Sequence, residues 1–112
     1  MKYWLGALAS SSGSSGEGAK APDFEFSMFQ GIEEVGFRNG NLARLEGKPL
    51  VLNFWAGLCP PCRAEMPQFQ LFYEEFKDRI TLVGIDLGQF TGLGSLSDAK
   101  DLVEELGVTY PI

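Results

Sequence analysis

The sequence predicts an α/β fold with a parallel central β-sheet flanked by helices, and three observations predict it. Leu50-Val51-Leu52-Asn53-Phe54-Trp55 and Ile80-Thr81-Leu82-Val83-Gly84-Ile85-Asp86 are apolar runs of strand length, as strands buried on both faces are. Between them Met66, Phe69, Phe72 and Phe76 recur at helical spacing and give one face of a helix of about four turns. Strand, helix and strand in that order make a βαβ unit, whose strands are parallel and whose crossover is right-handed.

Each element follows from local chemistry. Met1 to Ala9 holds a lysine, a short apolar stretch and an Ala-x-Ala end, which fits a remnant of an export signal or membrane anchor. A disordered N-terminus fits it equally, and both readings stay open. Ser10 to Gly18 is dominated by Ser and Gly and reads as a linker, so residues 1–20 are set apart from a folded domain over 21–112. Ala21-Pro22-Asp23-Phe24-Glu25-Phe26 alternates apolar and charged residues after a proline, the pattern of a short edge strand. Gly31 to Gly47, rich in Gly and Asn, predicts turns, a second short strand and a helical turn. Pro67 lies inside the long helix and is expected to kink it, since it has no N–H to give to the preceding turn. Gly88 to Gly94 reads as a loop. Ser97 is the expected cap of a final helix carrying Ala99, Leu102, Val103 and Leu106, with Gly107 as its stop.

Composition removes whole classes of function. The chain has 112 residues, one domain at most, and its 45% apolar content with nine Phe suffices for a globular core. Net charge is −6 and the nine Lys and Arg form no basic run, which disfavours nucleic acid as a partner. There is no histidine, so Cys-His and Ser-His nucleophile systems and His-ligated zinc are excluded. Two cysteines alone cannot complete a tetrahedral metal site, and neither a metal nor another cofactor is expected.

Those two cysteines stand in Cys59-Pro60-Pro61-Cys62, between the first apolar run and the helix. If the helix starts at Cys59, both sulfurs meet at one end of its first turn, close enough to bridge. The free N–H groups and positive dipole end of the helix then stabilise a thiolate on the first cysteine. Such a thiolate with a second thiol one turn away is equipment for thiol–disulfide exchange. A bridge this local closes a very small loop and is a poor structural staple, which favours a redox role. Pro60 and Pro61 suit a helix start, and each also removes an N–H that would otherwise tune Cys59. Trp55 and the Met66, Phe69, Phe72, Phe76 stripe read as core.

Trp55-Ala56-Gly57-Leu58-Cys59-Pro60-Pro61-Cys62-Arg63-Ala64-Glu65-Met66-Pro67 resembles the active-site segment of thioredoxin-fold proteins, in particular the TlpA/ResA-like branch of extracytoplasmic thiol–disulfide oxidoreductases. The likeness extends to Ala21-Pro22-Asp23-Phe24, to Gly47-Lys48-Pro49-Leu50, to Val83-Gly84-Ile85-Asp86 and to Leu106-Gly107-Val108-Thr109-Tyr110-Pro111. It implies a thioredoxin-like fold with Cys59 as exposed nucleophile and Cys62 as buried resolving thiol. It implies that Glu65 lies beside the dithiol and influences its ionisation, with Trp55, Pro60 and Pro61 tuning it. Asn53 stands where ordinary thioredoxins carry a buried Asp.

Two departures accompany the resemblance. Leu58 replaces the tryptophan usual before the first cysteine. The family also continues past the equivalent of Ile112 with a cis-proline loop, a hairpin and a last helix, so the fold is expected to be C-terminally incomplete. Tyr110-Pro111 resembles the segment that closes the extra helix of this branch, upstream of that loop. The resemblance implies exchange with protein thiol and disulfide substrates, reductive in direction and supplied by an upstream electron donor. It implies an extracytoplasmic location, periplasmic or on the outer face of the cytoplasmic membrane in a bacterium, with a tether through the N-terminal segment. A cytoplasmic location is the alternative.

Three rival readings make different demands on the sequence. A related thiol peroxidase calls for Thr three residues before its reactive cysteine, where Ala56 stands. A copper-delivery protein calls for a wider cysteine spacing and a histidine. A non-catalytic interaction module is the remaining alternative.

Overall fold

The computed structural model describes residues 3–5, 22–45 and 47–112. Its central sheet has three parallel strands: β1 (Tyr3–Leu5), β4 (Leu50–Trp55) and β5 (Thr81–Asp86), in the order β1-β4-β5. β4 and β5 are joined by α2 (Pro60–Phe76), the expected βαβ unit, and their register sets Leu50 opposite Thr81 and Trp55 opposite Asp86. Sequence analysis gave residues 1–20 no strand. Tyr3–Leu5 nevertheless pair with Leu50–Leu52, and the residues read as a linker lie outside the described ones.

Alternation along β4 divides the interior into two cores. Val51 and Trp55 face α2 and α4 (Leu96–Leu106), in a cluster with Cys62, Met66, Tyr73, Leu82, Ala99, Leu102 and Val103. Leu50, Leu52 and Phe54 face the other way, onto Met28, Phe37, Leu42 and Leu45. That second layer is an antiparallel pair, β2 (Glu25–Ser27) with β3 (Asn39–Asn41), and between them lies the single turn of α1 (Ile32–Val35). A 3-10 turn at Leu42–Leu45 leads back toward β4.

The last residues hold the layers together. Gly84 donates its N–H to the carbonyl of Pro111 at 2.9 Å. Ile112 donates to the Gln30 carbonyl at 3.0 Å and accepts from the N–H groups of Phe29 and Gln30. The Gln30 side chain adds two bonds, donating to the carbonyls of Val108 and Tyr110. There is no cis peptide among the described residues, so Tyr110–Pro111 is trans.

Three local expectations are corrected. Ser95, not Ser97, caps α4: its hydroxyl accepts the Asp98 N–H at 3.1 Å, and the Asp98 carboxylate accepts the Ser95 N–H at 2.9 Å. This reciprocal box needs an acceptor three residues after the cap, and the residue three beyond Ser97 is Lys100. The predicted loop 88–94 contains a one-turn helix, α3 (Gly88–Thr91), with the Asp86 carboxylate accepting the Gly88 N–H and Gly92 closing it at φ 75°. On α2 the buried side chains are Cys62, Met66, Gln70 and Tyr73, whereas Phe69 and Phe76 are half-buried and Phe72 is exposed. The helical face is rotated from the predicted stripe because Gln70 and Tyr73 find distant polar partners. α2 itself is continuous through Pro67.

Candidate redox site

The carboxyl ends of β4 and β5 carry the site, where open α/β sheets place their ligands. β4 ends at Trp55, Ala56 and Gly57 turn the chain, and Cys59 becomes the N-cap of α2 in an extended conformation. Cys59 and Cys62 are joined by a disulfide, with Cα atoms 5.3 Å apart. Cys59 is partly exposed, while Cys62 is buried in the cluster around Met66 and Trp55.

Pro60 and Pro61 occupy the first helical positions and are exposed. Neither has an N–H, so the first donor of α2 is Cys62, whose N–H points at Cys59 Sγ at 3.3 Å. One cap therefore receives the first available donor of a 17-residue helix, with no acidic residue in its first turn to oppose a negative charge.

The loop before Cys59 is fixed by a second segment that sequence reasoning did not connect with it. Leu58 donates its N–H to the Leu93 carbonyl at 2.8 Å. Gly57 lies so close to the start of α4 that a Cβ there would stand 2.7 Å from Ala99 N and the Asp98 carbonyl carbon. A glycine two residues before the first cysteine was the available signal, but its neighbours, Asp98 and Ala99, lie 41 and 42 positions along the chain.

Among the other predicted site residues, Trp55 is 2% exposed and its indole N–H has no hydrogen-bond partner among the described residues, so it acts through packing. Glu65 is half-buried on the first turns of α2. Asn53 is buried and donates to the Tyr110 hydroxyl at 3.1 Å. Burial pushes the Tyr110 hydroxyl up to about 12, against the opposing effect of the Asn53 bond. Arg63, next to Cys62, pairs across an exposed surface with Glu105 at the far end of α4.

Two clefts of about 420 and 450 Å³ open elsewhere, one around Glu34, Arg44, Lys48 and Lys77 and one along β2 and β3, and neither contains a cysteine. Among the described residues no group of three or more His, Cys, Asp and Glu is placed to hold a metal ion. No helix there is long and apolar enough to cross a membrane.

Comparison with known proteins agrees with this geometry. The chain is 36% identical over 96 residues to the thiol-disulfide oxidoreductase ResA of Oceanobacillus iheyensis, covering 85% of this chain and 46% of that protein. It is 32% identical over 97 residues to the thioredoxin-like protein YneN of Bacillus subtilis, covering 86% and 52%. ResA of Bacillus subtilis is 29% identical over 97 residues, covering 86% and 48%. The chain spans about half the length of these curated relatives. The AhpC/TSA family profile matches residues 18–112, nearly all of the thioredoxin-like α/β domain that carries the dithiol, and the chain belongs to that family.

Proposed function

We propose that this chain is a TlpA-like thiol–disulfide oxidoreductase domain that acts on protein disulfides through Cys59 and Cys62. The observation that carries the reading is Cys59 as N-cap of α2, bonded to Cys62 and receiving its N–H. In the reduced form, the Cys59 thiolate attacks one sulfur of a substrate disulfide. The substrate S–S bond breaks, a Cys59–substrate disulfide forms, and the other substrate sulfur leaves as a thiolate and takes up a proton. Cys62 then loses its proton and attacks Cys59 Sγ, and the second substrate sulfur departs in the same way. The substrate gains two electrons and two protons, and the chain returns to the disulfide form seen here. Renewed activity requires a dithiol donor upstream.

Glu65 is the positioning residue for partner and proton on this reading, supported by its place one turn beyond Cys62. Pro60, Pro61 and Trp55 tune the pair, the prolines by leaving Cys62 as the first donor and Trp55 by its place in the buried cluster with Cys62. No cofactor beyond the dithiol takes part. The names of the relatives support thiol–disulfide exchange, while the reductive direction, the protein substrates and an extracytoplasmic setting with an N-terminal tether rest on the resemblance of the active-site segment.

The test is the reduction potential of the pair in defined thiol buffers, together with the two serine variants. A value near thioredoxin's, about −270 mV, supports a reductase, whereas one towards about −120 mV makes the domain an oxidant. Cys59→Ser should abolish exchange and Cys62→Ser should trap mixed disulfides. A Cys59→Ser chain that still exchanges would refute the nucleophile, and a reduced wild-type chain that turns over no disulfide would leave the interaction-module reading.

A further inference from the structure

We infer that two copies of this chain pair through one side of α2, antiparallel about Phe72, so that Arg79 of a second copy comes to Glu65, one turn from Cys62. The pairing lies outside the exchange chemistry and does not depend on it.

The long helix carries a stripe that the interior does not use. Glu65, Phe69, Phe72, Phe76 and Arg79 follow one another at steps of four, three, four and three, the spacing of a seam between two helices. α2 buries a different side, that of Cys62, Met66, Gln70 and Tyr73. Arg63 and Gln70 reach Glu105 and Thr109, in α4 and just after it. The stripe stays outside, with Phe72 exposed and Phe69 and Phe76 half-buried. It is continuous all the same. The rings of Phe72 and Phe76 lie 4.9 Å apart, and Arg79, in the turn after α2, holds its guanidinium 4.9 Å from the centre of the Phe76 ring. A row of aromatic side chains left open in this way marks a surface that is covered in use.

Charge says what covers it. The stripe is acidic at one end and basic at the other, and neither charge is paired within the chain. Among the described residues the one ion pair is Arg63 with Glu105, so even Glu75, four residues before Arg79, makes none with it. Phe72 stands midway, seven residues from Glu65 and seven from Arg79. A twofold axis at Phe72 therefore lays the stripe on itself reversed, which is the self-complementarity a twofold interface requires. The two Phe72 rings meet at the centre and each Phe76 packs beside the Gln68 of the other copy. Each Arg79 then meets the Glu65 of the other copy, within reach of long side chains on helices about 8–10 Å apart. A parallel pair would set Glu65 on Glu65 and Arg79 on Arg79, like charge on like. Because Glu65 is one turn beyond Cys62, the antiparallel pair also brings a cation of the second copy to the helix turn that carries the dithiol.

The experiment is sedimentation equilibrium on the full chain in its disulfide form, with variants whose helicity by circular dichroism matches it. The unvaried chain should form a dimer. Glu65→Arg and Arg79→Glu each turn two attractions into two repulsions, and each should weaken self-association about tenfold. An equimolar mixture of the two variants should dimerise as the unvaried chain does, since each supplies the charges the other lacks. The double variant Glu65→Arg with Arg79→Glu should do so as well. Phe72→Ser should leave a monomer, whereas Leu71→Ser, off the stripe, should keep the dimer. A dimer indifferent to the single charge reversals, or a mixture as weak as its components, would overturn the inference. So would an unvaried chain that stays monomeric at the highest concentration reached, which assigns the stripe to a different protein or segment. None of these readings uses the dithiol, so a chain that dimerises as described but turns over no disulfide refutes the exchange reading alone, and an active monomer refutes the pairing alone.

Discussion

Asn53 and Tyr110, 57 positions apart, meet in the interior through one hydrogen bond from the Asn53 amide to the Tyr110 hydroxyl. The bond ties the central strand, two residues before its end at Trp55, to the segment that follows α4. Tyr110 also stacks edge-on against Tyr73 of α2, at 6.1 Å between ring centres. The position read as replacing a buried Asp is thus a neutral structural donor.

This pair predicts a specific alkaline loss of stability. Burial raises the folded-state value of Tyr110 from about 10 to about 12. Its contribution is therefore complete below about pH 10 and disappears as pH rises towards 12. Tyr110→Phe should make that alkaline slope shallower, with the remainder due to Tyr73, whose hydroxyl burial and the Glu34 carboxylate also push up. At neutral pH it should cost about 1–3 kcal/mol, because the Asn53 amide is left buried without an acceptor. Urea unfolding followed by tryptophan fluorescence across this range checks both; a variant more stable than wild type at neutral pH would contradict the second.

Gly57→Ala should couple stability to activity. The new methyl meets backbone atoms of Asp98 and Ala99, which cannot rotate away as a side chain can. A loss of about 1–3 kcal/mol is expected. The exchange rate should also fall, since displacing the turn strains the Leu58–Leu93 bond beside Cys59. Thermal unfolding and dithiobis-nitrobenzoate kinetics on one preparation would show the two effects together.

The cap of α4 predicts the acid behaviour. Hydrogen bonds from the Ser95 N–H, and then from its hydroxyl, hold the Asp98 carboxyl below the usual carboxylate range. That contribution is present above the unfolded value of about 3.9 and is lost as pH falls through the lower folded value. Asp98→Asn should flatten this part of the acid limb. Ser95→Ala should cost about 1 kcal/mol at neutral pH. Helicity by circular dichroism against pH distinguishes them.

Gln70 should prove as important as any apolar residue of α2. Its amide oxygen accepts the Thr109 N–H at 2.9 Å, and its nitrogen donates to Thr109 Oγ1 and to Glu74. Gln70→Ala should cost about 1–3 kcal/mol and expose the Thr109 amide to exchange. Hydrogen exchange at Thr109 that is unchanged in the variant would show the tie to be dispensable.

Gln70 also shows where sequence reasoning stops. The βαβ unit and the dithiol at its turn were legible because both depend on neighbouring residues: apolar runs, a 3.6-residue period and a four-residue cysteine motif. A glutamine four residues after Met66 carries no local sign that it is buried, since its partner lies 39 positions away. Tyr73 is similar, buried with its hydroxyl on Glu34. Leu58 was visible as a departure from the usual tryptophan, but its bond to Leu93 exists only once β5 and α3 have brought that loop across. The cap at Ser95 is a different case, because Asp98 three residues later was there to be read.

The clasp formed by Gln30 and Ile112 has a consequence for the order of assembly during synthesis. β2, α1 and β3 are translated before β4, but the backbone partners that fasten Gln30 to the rest come from residues about 80 positions later. At about 5–20 residues per second, that interval is roughly 4–16 s. Met28 and Phe37 gain Leu50, Leu52 and Val83 only as β4 and β5 are made, and the clasp comes later still, so the early layer is the part of this chain that waits longest for its partners while the ribosome is still at work.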